Sequence, residues 1–396
     1  MELLITKKSE KIICAWFEDK NLIQVHIHDE NSGDYNIGDI YVGKIKNVVN
    51  NINAAFVDIG SENPCFLQTM DVGSLKRERD IVVQILRDEH KTKNQSVTTM
   101  LTLTGRYLIL TTKNQISISK KITDVSKRKE LKELLCENDS NIPECGFIVR
   151  TNANYADTDV ILREKEQLMS VYNNILKKAE NTKVATKIYS SCKGYIADIR
   201  DSYTNTLERI ITDDEVIYNE LCDYTKNECK DLNNRIEFYN DKSYSLDSLF
   251  SLSVKLKKAL MRRTWLDSGA YVLCDVTEAL TVFDVNSGKA IGKKKDREDT
   301  FFKINNEAAE EIMRLLRLRN LTGIIIIDFI DMNDEENKAE LMKNLRSLAA
   351  KDPIKTTVVD MTALGLVEIT RRKQLKPLHE SVYVTDDELH FSHTCH

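Results

Sequence analysis

Two aspartates, Asp284 and Asp328, lie 44 positions apart, each at the end of a strongly apolar strand pattern. The first sits in EALTVFDVNSGKA, the second in LTGIIIIDFIDM. Neither has a Cys or His beside it, so two converging carboxylates would make a hard oxygen site of the kind Mg²⁺ prefers. Such a metal would activate a water and stabilise charge building on a phosphodiester. Asn286 falls on the same strand face as Asp284 and is placed to orient that water or the scissile phosphate. The structural alternative is that Asp328 and Asp331 simply follow a buried strand, with Asp331 or Asn333 capping the helix NDEENKAELMKNLRSLAAK. That account is weaker for Asp328, because a charge directly after four isoleucines needs a hydrogen bond, an ion partner or a metal.

The segment between the two strands must bring them together. NNEAAEEIMRLLRLRN (Asn305 to Asn320) has the apolar spacing of an amphipathic helix. Strand, helix and strand form a crossover that makes the two strands parallel neighbours and delivers both carboxylates to one sheet edge. Ligands of open α/β sheets gather at that edge.

Further candidates lie upstream. Five strand patterns between about Asp39 and Leu103 (IYVGKIKNVV, NAAFVDIG, CFLQ, DIVVQIL, VTTMLTL) fit an OB-type barrel inserted into another domain. Phe56 and Phe66 lie on adjacent strands of it, with Lys44, Lys46, Arg87, Lys91 and Lys93 nearby in sequence. Aromatics for stacking beside cations for phosphate are how OB folds hold single strands; the alternative is that both rings are core. Arg150–Thr151, closing the strand GFIVRT, pairs a guanidinium fork with a hydroxyl, a combination that cradles a terminal phosphate or serves as ordinary surface. GKKKDRED (Gly292 to Asp299) follows Asp284 and either steers a polyanion or is a solvated loop, while Arg314, Arg317 and Arg319 suit the C-terminal dipole of their helix.

The remaining elements are a three-strand meander (ELLIT, KIICAWF, NLIQVHI), strands RYLILTT and QISISKKI, a basic helix DVSKRKELKELL, and a long helix from Asp159 to Glu180. VATKIYS, a helix after Asp213, and a helix SLDSLFSLSVKLKKALMRRTW that ends in a cationic turn complete the reading. With 30% charged residues and a net charge of −5, any polyanion must be held by local patches, since the total charge argues neither way. Nine scattered cysteines without a C-x-x-C pair suit a reducing compartment. The N-terminus lacks a signal peptide and no run approaches ~18 apolar residues, so a soluble cytoplasmic protein without a membrane helix is expected. A magnesium phosphotransferase acting on small molecules is disfavoured, because no G-x-x-x-x-G-K-[ST] loop is present.

LTVFDVNSGKA, NNEAAEEIMRLLRLRNLTGIIIIDFIDM and LGLVEITRRK resemble the catalytic region of ribonucleases E and G, bacterial endoribonucleases. VGKIKNVVNNINAAFVDIGSENPCFLQ resembles that family's inserted S1-type barrel, and GRYLIL and FIVRTNA its 5′-sensing segment. The resemblance implies an α/β multidomain fold with an RNase H-like scaffold (1–37 and 183–250). It implies an S1-type OB barrel at 38–103, a 5′-sensor region at 104–182, a DNase I-like α/β catalytic domain at 251–376 and a short tail at 377–396. It makes Asp284 and Asp328 the Mg²⁺ ligands and Asn286 a catalytic helper. Gly105, Ile109, Arg150 and Thr151 would form a 5′-monophosphate pocket, and Phe56, Phe66, Lys93 and Lys120 would contact RNA.

The implied activity is Mg²⁺-dependent cleavage of single-stranded A/U-rich RNA, leaving 5′-phosphate and 3′-hydroxyl ends and favouring 5′-monophosphorylated substrates. Ribosomal RNA processing and mRNA decay would be its settings. Two departures stand out. ISKK replaces the family's ISRR, so Lys120 keeps charge but loses a bidentate fork. The family's C-P-x-C zinc link is absent, and the tail offers only Cys395 with His390, His393 and His396. Zinc is therefore not expected, which puts the homodimer or higher oligomer it would fasten in question. A non-catalytic single-stranded RNA-binding module is the alternative reading.

Overall fold

The computed structural model describes residues 1–30, 35–68, 76–87 (the side chain of 87 excepted), 94–136, 145–202, 207–289, 297–373, 375–385 and 388–392. The chain divides into two compact units. One comprises 1–30, 207–219 and 235–396; the other comprises 31–206 and 220–234.

The first unit contains two mixed sheets. In the N-terminal sheet, Glu2–Lys8, Lys11–Glu18 and Asn21–Asp29 form the expected antiparallel meander. Arg209–Thr212 then adds parallel to the first strand, and Ile236–Phe238 parallel to that. Leu4, Ile13, Ala15, Phe17 and Val25 pack with Leu246, Phe250, Leu252 and Leu256. The single helix expected from Ser245 to the Arg-Arg pair is two, Leu246–Phe250 and Leu252–Leu260, because Ser251 adopts a left-handed backbone (φ 51°). Its cationic end is no helix either: Arg263–Trp265 is an edge strand paired with Tyr271–Val276. Thr and Trp favour that pleated setting.

The second sheet runs in the order Arg263–Trp265, Tyr271–Val276, Leu280–Asn286, Gly323–Asp328, Leu366–Arg371, Thr356–Met361. Its central pair, Leu280–Asn286 and Gly323–Asp328, is parallel, and every other neighbour is antiparallel. The crossover helix is longer than its spacing suggested, Arg297–Leu318, with Glu298 and Asp299 favouring its first turn. Glu335–Lys351 follows the second strand. Alternation then sorts the strands. Phe283, Val285, Ile325 and Ile327 are buried in a core with Ala308, Ile312, Leu316 and Leu345 from these helices. Each of the larger side chains, Val, Leu, Ile or Phe, contributes about 1.5–3 kcal/mol. The opposite face, bearing Asp284, Asn286, Ile324 and Asp328, is only partly buried or exposed.

In the second unit, Ile40–Val49, Ala54–Asp58, Cys65–Gln68, Ser96–Thr98 and Asp80–Arg87 pair in a ring closed by Ile40–Val49 against Asp80–Arg87. This is an OB-like closed barrel. VTTMLTL is not one strand: Ser96–Thr98 belongs to the barrel and Thr102–Thr104 to the next sheet. Thr186–Tyr189 adds to the barrel's Ile40–Val49 strand. The neighbouring sheet orders Ile116–Ile118, Gly146–Val149, Leu108–Thr111 and Thr102–Thr104, and packs on Val125–Cys136 and Thr158–Asn181. Gly146 is required there, since a Cβ would lie 2.2 Å from the Gln115 carbonyl oxygen.

Candidate active site

Asp284 is directly opposite Asp328 in the parallel register. Directly opposed residues point to the same face, so both carboxylates project from the open side, one strand spacing (about 4.8 Å) apart at the backbone. Asn286 Nδ2 donates to Asp284 Oδ2 at 2.8 Å. Burial, then the charges of Asp284 and Asp331, push the Asp328 carboxyl above its ordinary value. That excess negative charge is what a divalent cation relieves, and oxygen donors are what Mg²⁺ accepts. The donor set fits the metal. Asp331 does not cap the following helix, and neither does Asn333. Asp334 does, its side chain accepting from the Glu336 N–H at 2.8 Å. Asp331 therefore remains exposed as a third acid near the pair.

Asn305 fixes the loop after Asp328. It is fully buried, its Nδ2 donating to the Ile330 carbonyl at 2.8 Å while its Oδ1 accepts from the Ile330 N–H at 3.0 Å. Near the first aspartate, Arg262 binds Asp275 through Nε (2.5 Å) and Nη2 (2.7 Å). The Asp275 hydrogen bond chiefly raises its pKa, and the Asp284 charge adds to this.

In the second unit, Gly105, Arg150 and Thr151 come together. Arg150 Nη1 donates to the Gly105 carbonyl at 2.6 Å, and its Nη2 pairs with Asp201 at 2.8 Å. The Thr151 and Ser119 hydroxyls are 2.9 Å apart. A pocket of about 290 Å³ is lined by Ser119, Ile148, Val149, Arg150, Thr151, Asn152 and Asp201. Ile109 does not line it; it lies beside Ile148, with which it is paired. Lys120 is exposed beside Ser119 in this region and does not belong to the barrel.

On the barrel, Phe56 and Phe66 are directly paired, with ring centroids 6.0 Å apart at 72°. Their strand neighbours Ala55, Val57, Cys65 and Leu67 fill the barrel core, so the half-buried rings point outward. Lys46 sits 3.3 Å from Asp58, and Lys44 is 3.8 Å from Asp80. Lys91, Lys93 and the lysines of GKKKDRED lie outside the described residues, as does the Arg87 side chain.

A family model described as "Ribonuclease E/G family" matches residues 102–374, more than half of the chain. The chain belongs to the ribonuclease E/G family. It is an endoribonuclease, in a family whose enzymes are metal-dependent. It is 32% identical over 394 residues to the protein named Ribonuclease G of Escherichia coli (strain K12), covering 94% of this chain and 80% of that one. Ribonuclease G of Haemophilus influenzae is 31% identical over 422 residues, covering 100% and 83%. A ribonuclease E/G-like protein of Pyropia yezoensis is 32% identical over 375 residues, covering 90% and 73%.

In this ribonuclease E/G member, sequence reasoning missed Glu164. Its half-buried carboxylate accepts from the Arg106, Tyr107 and Leu108 N–H groups at 2.6, 2.8 and 2.7 Å. A Cβ on Gly105 would lie 2.6 Å from that carboxyl carbon. These amides are satisfied from within. Asn305 was also missed, although an amide on the apolar side of a helix is a visible signal.

Proposed function

We propose that this endoribonuclease cleaves single-stranded, A/U-rich RNA at the Asp284–Asp328 pair with Mg²⁺, leaving 5′-phosphate and 3′-hydroxyl ends. It favours 5′-monophosphorylated substrates and serves ribosomal RNA processing and mRNA decay in the cytoplasm. The observation carrying the reading is the in-register pairing of two carboxylates on one open sheet face, with the Asn286 amide 2.8 Å from one of them.

Asp284 and Asp328 would hold Mg²⁺, which when bound neutralises phosphodiester charge and lowers the pKa of a bound water. Asn286 fixes the Asp284 carboxylate and presents its remaining amide N–H toward the same face. Asn305 keeps the Asp328 loop in place. Arg150 and Thr151 take the 5′-phosphate through charge-assisted hydrogen bonds. Phe56 and Phe66 stack on bases, with Lys93 and Lys120 as further RNA contacts. In this reading the N-terminal sheet is an RNase H-like scaffold, the barrel an S1-type domain and the C-terminal sheet a DNase I-like domain.

The test is Asp284→Asn and Asp328→Asn on labelled single-stranded RNA with Mg²⁺ or EDTA. Cleavage falls by roughly a thousandfold or more while RNA binding stays near the parent level. A variant that cuts at the parent rate refutes the assignment. Salt-sensitive binding without metal-dependent products would instead establish the non-catalytic RNA-binding module.

A further inference from the structure

We propose that Arg263, Trp265 and Tyr271 form a stacking platform for a nucleobase of the RNA strand, beside the phosphodiester that is cut. The inference rests on the reading of Asp284 and Asp328 as the cleaving pair, and the sheet register carries it. Trp265 pairs with Tyr271, which pairs with Asn286. Arg263 pairs with Leu273, Leu273 with Asp284, and Asp284 with Asp328. Opposed residues share a face, so the two rings stand in a row with the Asn286 amide, and Arg263 stands in the row of the carboxylates. Tyr271 is one strand spacing from Asn286 and Trp265 two, about 5 and 10 Å, a span that one nucleotide bridges.

The rings meet edge to face at 5.2 Å, and the Arg263 guanidinium lies 4.6 Å from the Tyr271 centroid and 5.7 Å from that of Trp265. Trp265 is 58% exposed, while the sheet's core lies on its other face. An indole so placed contributes little to folding. A cation held over aromatic faces suits a nucleic acid: any base can stack on the rings, and the guanidinium meets the backbone phosphate.

The full-length chain is tested with a single-stranded RNA carrying one cut site. Trp265→Leu lowers kcat/KM about tenfold, the scale of one lost base–aromatic stack, and Trp265→Phe restores most of it. RNA quenches the indole emission of the parent but not of Trp265→Leu, which keeps only the buried Trp16. Abasic substitution near the cut reproduces the loss at one nucleotide in the parent and adds nothing there in Trp265→Leu. Cleavage by Trp265→Leu within about twofold of the parent overturns the platform, as do abasic losses that simply add to the mutant's. So does a change in sizing-column mass with cleavage intact, which would make this surface a contact between copies of the chain. The cleaving pair fails separately, if Asp284→Asn still cuts; quenching in that variant continues to report on the platform.

Discussion

Glu164 is the clearest case of a charge used on backbone. Burial pushes its carboxyl up, and three successive N–H groups pull it back toward ionisation. Glu164→Gln turns an acceptor into a donor facing an N–H, which costs about 1–3 kcal/mol in a denaturant titration. In the proposed reading, the Arg150 guanidinium, which donates to the Gly105 carbonyl, takes the 5′-phosphate. Arg150→Ala lowers the rate on 5′-monophosphorylated RNA by about 10–100-fold, to the level of 5′-hydroxyl RNA, while leaving the latter unchanged. Equal losses on both substrates would make Arg150 structural. Asp201 adds a pH signature. Burial acts to raise its carboxyl, but the Arg200 hydrogen bond and the Arg150 charge outweigh this and hold it below the ordinary 3.8. A depressed acid stabilises the fold above its unfolded pKa and ceases to do so as pH falls through the folded one. The difference in melting temperature between the parent and Asp201→Asn is therefore present at neutral pH and closes below about pH 4. The juxtaposition of Asp284 and Asp328 was legible because a charge ends each apolar run. Glu164 was not, since LREKEQLM surrounds it with other charges and nothing local marks the amides it serves.

At the scale of elements, the strand–helix–strand crossover could be read directly because periodicity and handedness leave one arrangement. Local geometry was harder. Nothing in SLDSLFSLSVKL announces that Ser251 turns left-handed, and an apolar stretch such as VTTMLTL does not reveal that it serves two sheets. The helix cap shifted to Asp334 because several adjacent acids and an Asn compete for that role. Asn305 links the crossover helix to the loop after Asp328. Asn305→Ala leaves the Ile330 N–H and carbonyl buried without these partners. It is expected to cost about 1–3 kcal/mol by thermal unfolding and to lower kcat more than it raises KM. Unchanged kcat with normal stability would remove Asn305 from any positioning role.

At the scale of the molecule, a chain with net charge −5 holds RNA through small local surfaces. In the proposed reading, the outward Phe56–Phe66 pair is one of them. The double substitution to Ala should weaken binding by about 1–3 kcal/mol per ring, read as raised KM with kcat retained. A salt titration gives the ionic share of that binding. The N-terminal sheet carries a different consequence. Glu2 pairs with Arg209, 207 residues later, so the first strand waits for its parallel neighbour until that much more chain has left the ribosome. At about 5–20 residues per second this takes about 10–40 s, during which the nascent meander presents an open edge. Synthesis of this enzyme thus includes a window in which a chaperone, or a neighbouring nascent chain, competes for the same edge.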